Sequence, residues 1–168
     1  MGSIIARHNS KLLRSAAVTL PRRQPHCNCQ KKQECPVPGM CNTDGTVYQA
    51  TVTSAGGGVE TYVGLAKNFK KRYPKHKKNL LVESPVGSTS LSKHYWKEEH
   101  AGKDPKVTWR FLEKNVPIYN HIRRKCRPCL REKFTIVLKP GLASLNSRQE
   151  IFAHCRHLQS ELISGAPD

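Results

Sequence analysis

The chain has 168 residues, of which 37% are hydrophobic, and this is enough for one modest core with short flanking segments. Its 29 lysines and arginines against 12 acids give a formal net charge of +17, far above the magnitude of about 2–8 that solubility needs. No apolar run approaches the ~20 residues of a membrane span, and no basic amphipathic helix has a clean apolar face. The charge therefore favours a polyanion such as nucleic acid as the partner, and no membrane.

The first 44 residues divide into two segments. Residues 1–25 predict a short helix, about Ile4 to Ala17, followed by a basic linker, and no acid occurs before Glu34. An acid-free, Arg-containing start is also typical of a mitochondrial transit peptide, the minor alternative to a nuclear or cytoplasmic location. Residues 26–44 are rich in Cys, Pro and Gly without apolar periodicity, so a bound metal is expected to hold this segment together.

Residues 45–163 predict one α+β domain that begins with a β-hairpin. Thr46–Thr53 and Val59–Leu65 alternate as strands do, and three glycines lie in the turn between them. A period of two places Tyr48 and Val52 on the same face of the first strand.

Helices and a third strand complete the expected domain. A basic helix over Ala66–Leu81 contains Pro74, which predicts a kink or a break. The expected fold is therefore a small antiparallel three-stranded sheet, a hairpin plus one strand, flanked by helices. The remaining expected elements are a helix from Ser90 through Glu99, a strand over Lys106–Glu113, a helix over Cys129–Leu138, and a last helix from the Ser147-x-x-Glu150 capping box through about Leu162.

The seven cysteines have short spacings that suit metal binding better than a disulfide framework, because the chain shows no secretory signal. Their alternative role is that of reduced thiols in a reducing compartment. We predict two structural Zn²⁺ sites. One comprises Cys126, Cys129, Cys155 and His157, and the second comprises Cys27, Cys29, Cys35 and Cys41, with His26 in reserve.

Six polar side chains are candidates for chemistry, although each also has an ordinary structural role. Arg72 and His76 share a helix face, where an Arg fork can hold phosphate and a His can move protons, but a solvated basic helix has the same pattern. Glu132 offers the oxygen ligand that a hard divalent cation needs, or a surface ion pair. The others are Tyr48 and Tyr62, which as strand tyrosines usually pack in a core, and Asn146, which suits a turn or cap.

The order of these residues resembles the GIY-YIG endonuclease family. The two signature motifs read Thr46–Tyr48 and Tyr62–Gly64, and an Arg-x3-His helix, a helical Glu and an Asn follow. The resemblance covers roughly residues 46–150 and is closest to the Cys/His-containing domains of Penelope-like retroelements. In those elements the domain follows a reverse transcriptase, so a larger polyprotein is a compatible context for this chain.

The chain departs from the family pattern at a few positions. Thr46 stands at the first signature glycine, and Val47 and Val63 replace isoleucines, which is harmless in a strand. Pro74 is the serious departure, since a break there would move His76 off the face that carries Arg72.

The resemblance implies a mechanism of phosphodiester hydrolysis in DNA. Glu132 would hold one Mg²⁺ or Mn²⁺, and Arg72 would neutralise charge on the phosphoryl oxygens. Tyr48 would activate the attacking water, with His76 assisting or relaying the proton. Tyr62 and Asn146 would position the phosphate.

Two other classes of function fit the same composition. One is a catalytically impaired, zinc-stapled DNA-binding module, which the charge and the cysteines support equally well. The other is a basic, Cys-rich targeting or scaffold protein, supported by the acid-free N-terminus. The sequence leaves the target site and the oligomeric state open.

Overall fold

The structure, a computed structural model, describes residue 27 and residues 29–84, 88–116 and 126–149. The helices expected within residues 1–25 and after residue 149 lie outside the described residues. Within them the chain forms three strands and three α-helices, with short 3-10 helices at Lys32–Glu34 and Pro140–Leu142. In chain order these are β1 (Asp44–Thr53), β2 (Val59–Asn68), α1 (Phe69–Leu81), α2 (Ser90–His100), β3 (Lys106–Glu113) and α3 (Arg127–Leu138).

The three strands form one antiparallel sheet in the order β2-β1-β3, which confirms the expected α+β fold of a hairpin plus one strand with helices. β1 is the central strand and pairs along its length with both neighbours. In this register Tyr48 of β1 lies opposite Gly64 of β2 and Phe111 of β3. The segments Thr46–Tyr48 and Tyr62–Gly64 are therefore adjacent in the sheet and meet at Tyr48 and Gly64.

β1 is buried on both faces, and its period of two sorts its side chains as expected. Tyr48 packs with Phe69 of α1, and the alternate residue Val52 packs with Leu91 of α2. On the opposite face, Val47 packs with Ile136 of α3. The sheet is thus covered by α1 and α2 on one side and by α3 on the other.

The expected break at Pro74 is wrong, because α1 is continuous from Phe69 to Leu81. Pro74 is exposed, and the loss of its N–H removes a single backbone hydrogen bond. On the other side of the helix, Phe69 and His76 are buried against the sheet, and this packing holds the helix together across the proline. Arg72 and His76 consequently stay on one continuous helix.

Several element boundaries differ from the expected ones for local reasons. β2 continues to Asn68, so α1 begins three residues later than predicted, and the Asn68 side chain caps it by accepting the amide N–H of Lys71 at 3.2 Å. α3 begins two residues early at Arg127 because Pro128 fits the first turn, where its missing N–H costs nothing.

Candidate active site and cysteine cluster

Tyr48 and His76 form the centre of the candidate site. Tyr48 is completely buried, and its hydroxyl oxygen lies 2.7 Å from Nε2 of His76. β1 contributes the phenol and α1 contributes the imidazole, so the hydrogen bond joins the central strand to the helix that covers it. Two of the six predicted residues are therefore in direct contact.

His76 is held as a neutral imidazole in an aromatic enclosure. Its ring lies 5.1 Å from that of Trp109 and 6.2 Å from that of Tyr62, measured between centroids. Burial, and next the positive charge of Arg72, lower the pKa of His76 to about 4. A neutral imidazole that carries its proton on Nδ1 can accept a hydrogen bond from the Tyr48 hydroxyl at Nε2.

The depressed pKa of His76 predicts a specific acid sensitivity. The unfolded chain binds this proton near pH 6.5 and the folded chain only near pH 4, so stability falls as the pH drops through that window. The expected loss from this group is up to about 3 kcal/mol. Urea unfolding between pH 7 and pH 4 should show a shallower pH dependence in His76→Gln, while His94→Gln on α2 should follow the parent. Parallel curves for the parent and His76→Gln would contradict the assignment.

Arg72 lies one turn before His76. Its positive charge interacts with both tyrosines and with Glu132. Burial by itself lowers the pKa of Arg72, but Tyr48, Tyr62 and Glu132 outweigh that effect and the net shift is upward. The Tyr48 hydroxyl contributes most to raising the pKa of Arg72, through its charge and as a hydrogen-bonding neighbour. The Arg72 Nε atom is buried and has no hydrogen-bond partner among the described residues.

Glu132 lies on α3, and its negative charge raises the pKa values of Tyr48 and Arg72. One turn later, Ile136 anchors the helix against Val47 in the core. Burial, the largest effect, raises the pKa of Tyr48 to about 12, with Arg72 lowering it and the Glu132 carboxylate raising it further. Tyr48, Tyr62, Arg72, His76 and Glu132 are therefore brought into one electrostatic unit.

Gly64 is required for the buried position of Tyr48. A Cβ atom at Gly64 would lie 2.5 Å from the Tyr48 hydroxyl oxygen and 2.6 Å from its Cζ atom. These contacts are closer than van der Waals packing allows, and the phenol is held in place by its complete burial and its hydrogen bond to His76. A side chain larger than that of glycine therefore cannot be placed at position 64 without displacing Tyr48.

Gly64→Ala is expected to destabilise the fold by about 1–3 kcal/mol, because the phenol must leave its place beside His76. Gly58→Ala in the hairpin turn is the matched control, since a Cβ there meets nothing within 4 Å. Urea unfolding of the two variants gives the comparison. Equal stability would mean that the sheet absorbs the methyl group without moving Tyr48.

Asn146 is engaged by the backbone of the edge strand. Its Oδ1 accepts the N–H of Val63 at 2.7 Å, and its Nδ2 donates to the Val63 carbonyl at 2.9 Å. This pairing satisfies β2 on its free side and fixes the strand that carries Tyr62. A contact between Asn146 and phosphate stays a prediction.

The four N-terminal cysteines form a compact cluster. All four Sγ atoms lie within 4.8 Å of one another, and the shortest separation, 3.2 Å, joins Cys41 to Cys27. The thiols are free, and such separations fit one tetrahedral ion with Zn–S bonds of about 2.3 Å. Cys27, Cys29, Cys35 and Cys41 could therefore hold a structural metal such as zinc.

Hydrogen bonds within the cluster favour the thiolate form of Cys27, the form that binds a metal. The backbone N–H of Cys29 lies 3.4 Å from Sγ of Cys27, and with the neighbouring thiols it lowers the pKa of Cys27 to about 6. Burial raises the pKa of Cys35 and Cys41, so a metal that displaces their protons is needed for four thiolates. The cluster touches the candidate site through Val37, which packs with Tyr48 and Phe69.

The second predicted zinc site is described only in part. Cys126 is buried and Cys129 is half-buried at the start of α3. Cys155 and His157 lie outside the described residues, so this site stays a prediction.

Sequence reasoning missed Trp109 of β3. Its ring packs on Tyr48, Phe69 and Tyr73 as well as on His76. A period of two along Lys106–Glu113 places Trp109 on one face of β3, but only the strand order reveals that this face is the one that meets Tyr48.

Comparisons with protein-family models, curated proteins and solved structures found no match to the chain. None of the helices in the described part of the chain has the length and apolar character that crossing a bilayer requires.

Proposed function

We propose that this chain is a metal-dependent DNA endonuclease of the GIY-YIG type. The observation that carries the proposal is the hydrogen-bonded pair of Tyr48 and His76, to which the charges of Arg72 and Glu132 are coupled. Phosphodiester hydrolysis needs a proton acceptor, a cation for the phosphoryl oxygens and a ligand for a divalent ion. These four side chains supply all three functions within one cluster.

Glu132 is the residue that would hold Mg²⁺ or Mn²⁺. A carboxylate is the hard oxygen ligand that these ions prefer, and its negative charge raises the pKa of Tyr48, which a nearby cation would offset. When bound, the ion supplies a Lewis acid that stabilises charge on the phosphoryl and leaving oxygens.

Tyr48 and His76 are arranged as a proton relay. At neutral pH the phenol is protonated and hydrogen-bonded to a neutral imidazole. As Tyr48 Oη accepts a proton from the attacking water, it releases its own proton to Nε2 of His76. The phenol is regenerated, and the negative charge of a bound phosphate makes His76 a better acceptor by raising its pKa.

Arg72 is the electrostatic stabiliser in this scheme. Its planar fork matches two phosphate oxygens, and the half-buried side chain lines a groove at the surface. Because the guanidinium already interacts with Tyr48, it is fixed before substrate binds and needs little reorganisation in the transition state.

The rival function is a zinc-stapled DNA-binding module that does not cut. The complete burial of Tyr48 and its raised pKa favour this alternative, because water must reach the phenol for the relay to work. The cysteine cluster and the charge support both functions. A retroelement origin belongs to the same proposal and rests on the Cys-rich segment beside the domain.

One paired assay separates these functions. Supercoiled plasmid is incubated with the protein and Mg²⁺ or Mn²⁺, and the same DNA is used in a gel shift without added divalent ions. Metal-dependent nicking together with a shift supports the endonuclease. A shift without nicking in either metal favours the binding module, and the absence of both contradicts both proposals.

A further inference from the structure

A basic groove of about 490 Å³ borders the candidate site at the N-terminal end of α1. One wall is α1 itself, and the other is the segment that joins the cysteine cluster to β1. The described residues that line it are Asn42, Asp44, Lys67, Asn68, Lys71, Arg72 and Lys75.

The Asn68 side chain links the two walls of the groove. Asn68 donates from Nδ2 to Asp44 Oδ1 at 2.7 Å and to Asn42 Oδ1 at 3.1 Å, while its Oδ1 caps α1. The amide therefore ties both walls together. It also engages the carboxylate of Asp44, which lessens the repulsion that Asp44 would exert on an anion.

The α1 wall presents cations that the described chain does not neutralise. Lys71 and Lys75 are exposed, lie one turn apart, and form no ion pair with any acid in the described ranges. The first turn of α1 contains no acid, so the positive end of the helix dipole is not offset there by a carboxylate on the helix itself. Arg72 lines the groove between these lysines and also belongs to the catalytic cluster.

The lining points to a sugar-phosphate backbone as the ligand. None of the described residues that line the groove is aromatic, so it offers no surface on which a base could stack. Its polar groups are mainly Lys, Arg and Asn, the residues that most often contact phosphate oxygens. The groove is open and continuous with Arg72, which suits a strand that runs on beyond the reacting phosphate.

We propose that this groove binds the DNA phosphate next to the scissile one, through Lys71 and Lys75. This inference rests on the proposed function, because it uses Arg72 to link the two positions. Arg72 then faces the reacting phosphate while the lysines bind the neighbouring one. These contacts position the DNA backbone without depending on the base sequence.

The test is the salt dependence of duplex DNA binding, measured by fluorescence anisotropy without added divalent ions. Lys71→Gln/Lys75→Gln is compared with Lys77→Gln/Lys97→Gln, which removes two exposed lysines that do not line the groove. The log–log slope should fall by about 0.9 in the groove variant, the value for one lost phosphate contact, and by much less in the control. Equal slopes in the two variants would overturn the proposal, provided that thermal unfolding shows both to be folded.

Plasmid nicking by the same proteins separates this inference from the proposed function. If the parent does not nick but the slopes differ as expected, the groove stands as a phosphate site and the endonuclease fails. If the parent nicks and the slopes are equal, the endonuclease stands and the groove fails.

Discussion

Arg72→Ala is expected to lower the single-turnover rate of plasmid nicking by at least about 100-fold, the usual effect of losing a preorganised transition-state donor. The change removes the cation that interacts with Tyr48, Tyr62 and Glu132 at once. It also removes the charge that lowers the pKa of Tyr48, which makes the phenol a poorer participant in proton transfer. Binding of DNA should weaken far less, because the lysines of α1 remain.

Two further variants make this result interpretable. Arg72→Lys keeps the charge but loses the planar fork, so it should recover binding while its nicking rate stays well below that of the parent. Lys77→Ala, on the same helix but outside the cluster, should nick at the parental rate. A nicking rate for Arg72→Ala within a few-fold of the parent would remove Arg72 from the mechanism.

Loss of metal from the cysteine cluster is the second large expected effect. Structural zinc in small domains contributes apparent binding energies of about 10–16 kcal/mol, much of which is folding energy. Cys41→Ser should therefore lower the free energy of unfolding by several kcal/mol, since Cys41 is almost completely buried among the other thiols. Release of Val37 from the core around Tyr48 and Phe69 would follow.

Metal content by mass spectrometry tests this effect directly. Protein purified without chelators should carry at least one zinc per chain, and Cys41→Ser should carry one fewer than the parent. Met40→Ala, a change at a partly exposed neighbour, should leave the zinc content unchanged. Less than one zinc per chain in the parent would contradict both zinc predictions.

The parts of the fold that sequence predicts best are those decided by local pattern. Alternating β-branched residues around three glycines define the hairpin, and the bounds of β3 are reproduced at Lys106–Glu113. The grouping of the four N-terminal cysteines also follows from their spacing. At Pro74 the local rule fails, because burial of Phe69 and His76 outweighs one missing hydrogen bond.

The parts that sequence does not reveal depend on long-range packing. Glu132 acts on Tyr48 only because Ile136 packs α3 against Val47 of the sheet. The two elements are far apart in sequence. Likewise, Lys71 and Lys75 look like a solvated helix face until Asn68 ties the groove walls together. Thr46 is buried with a hydroxyl that has no partner in the described part of the chain, and no sequence pattern indicates that.

The claim on which the mechanism depends is that Glu132, whose charge acts on Tyr48 and Arg72, is the ligand of the divalent ion. The most direct measurement is the single-turnover nicking rate of Glu132→Gln across a range of Mn²⁺ concentrations, with Glu113→Gln on β3 as the matched control. We expect Glu132→Gln to bind DNA but to nick at the background rate at every Mn²⁺ concentration, while Glu113→Gln follows the parent. Nicking by Glu132→Gln with the parental rate and Mn²⁺ dependence would contradict the assignment.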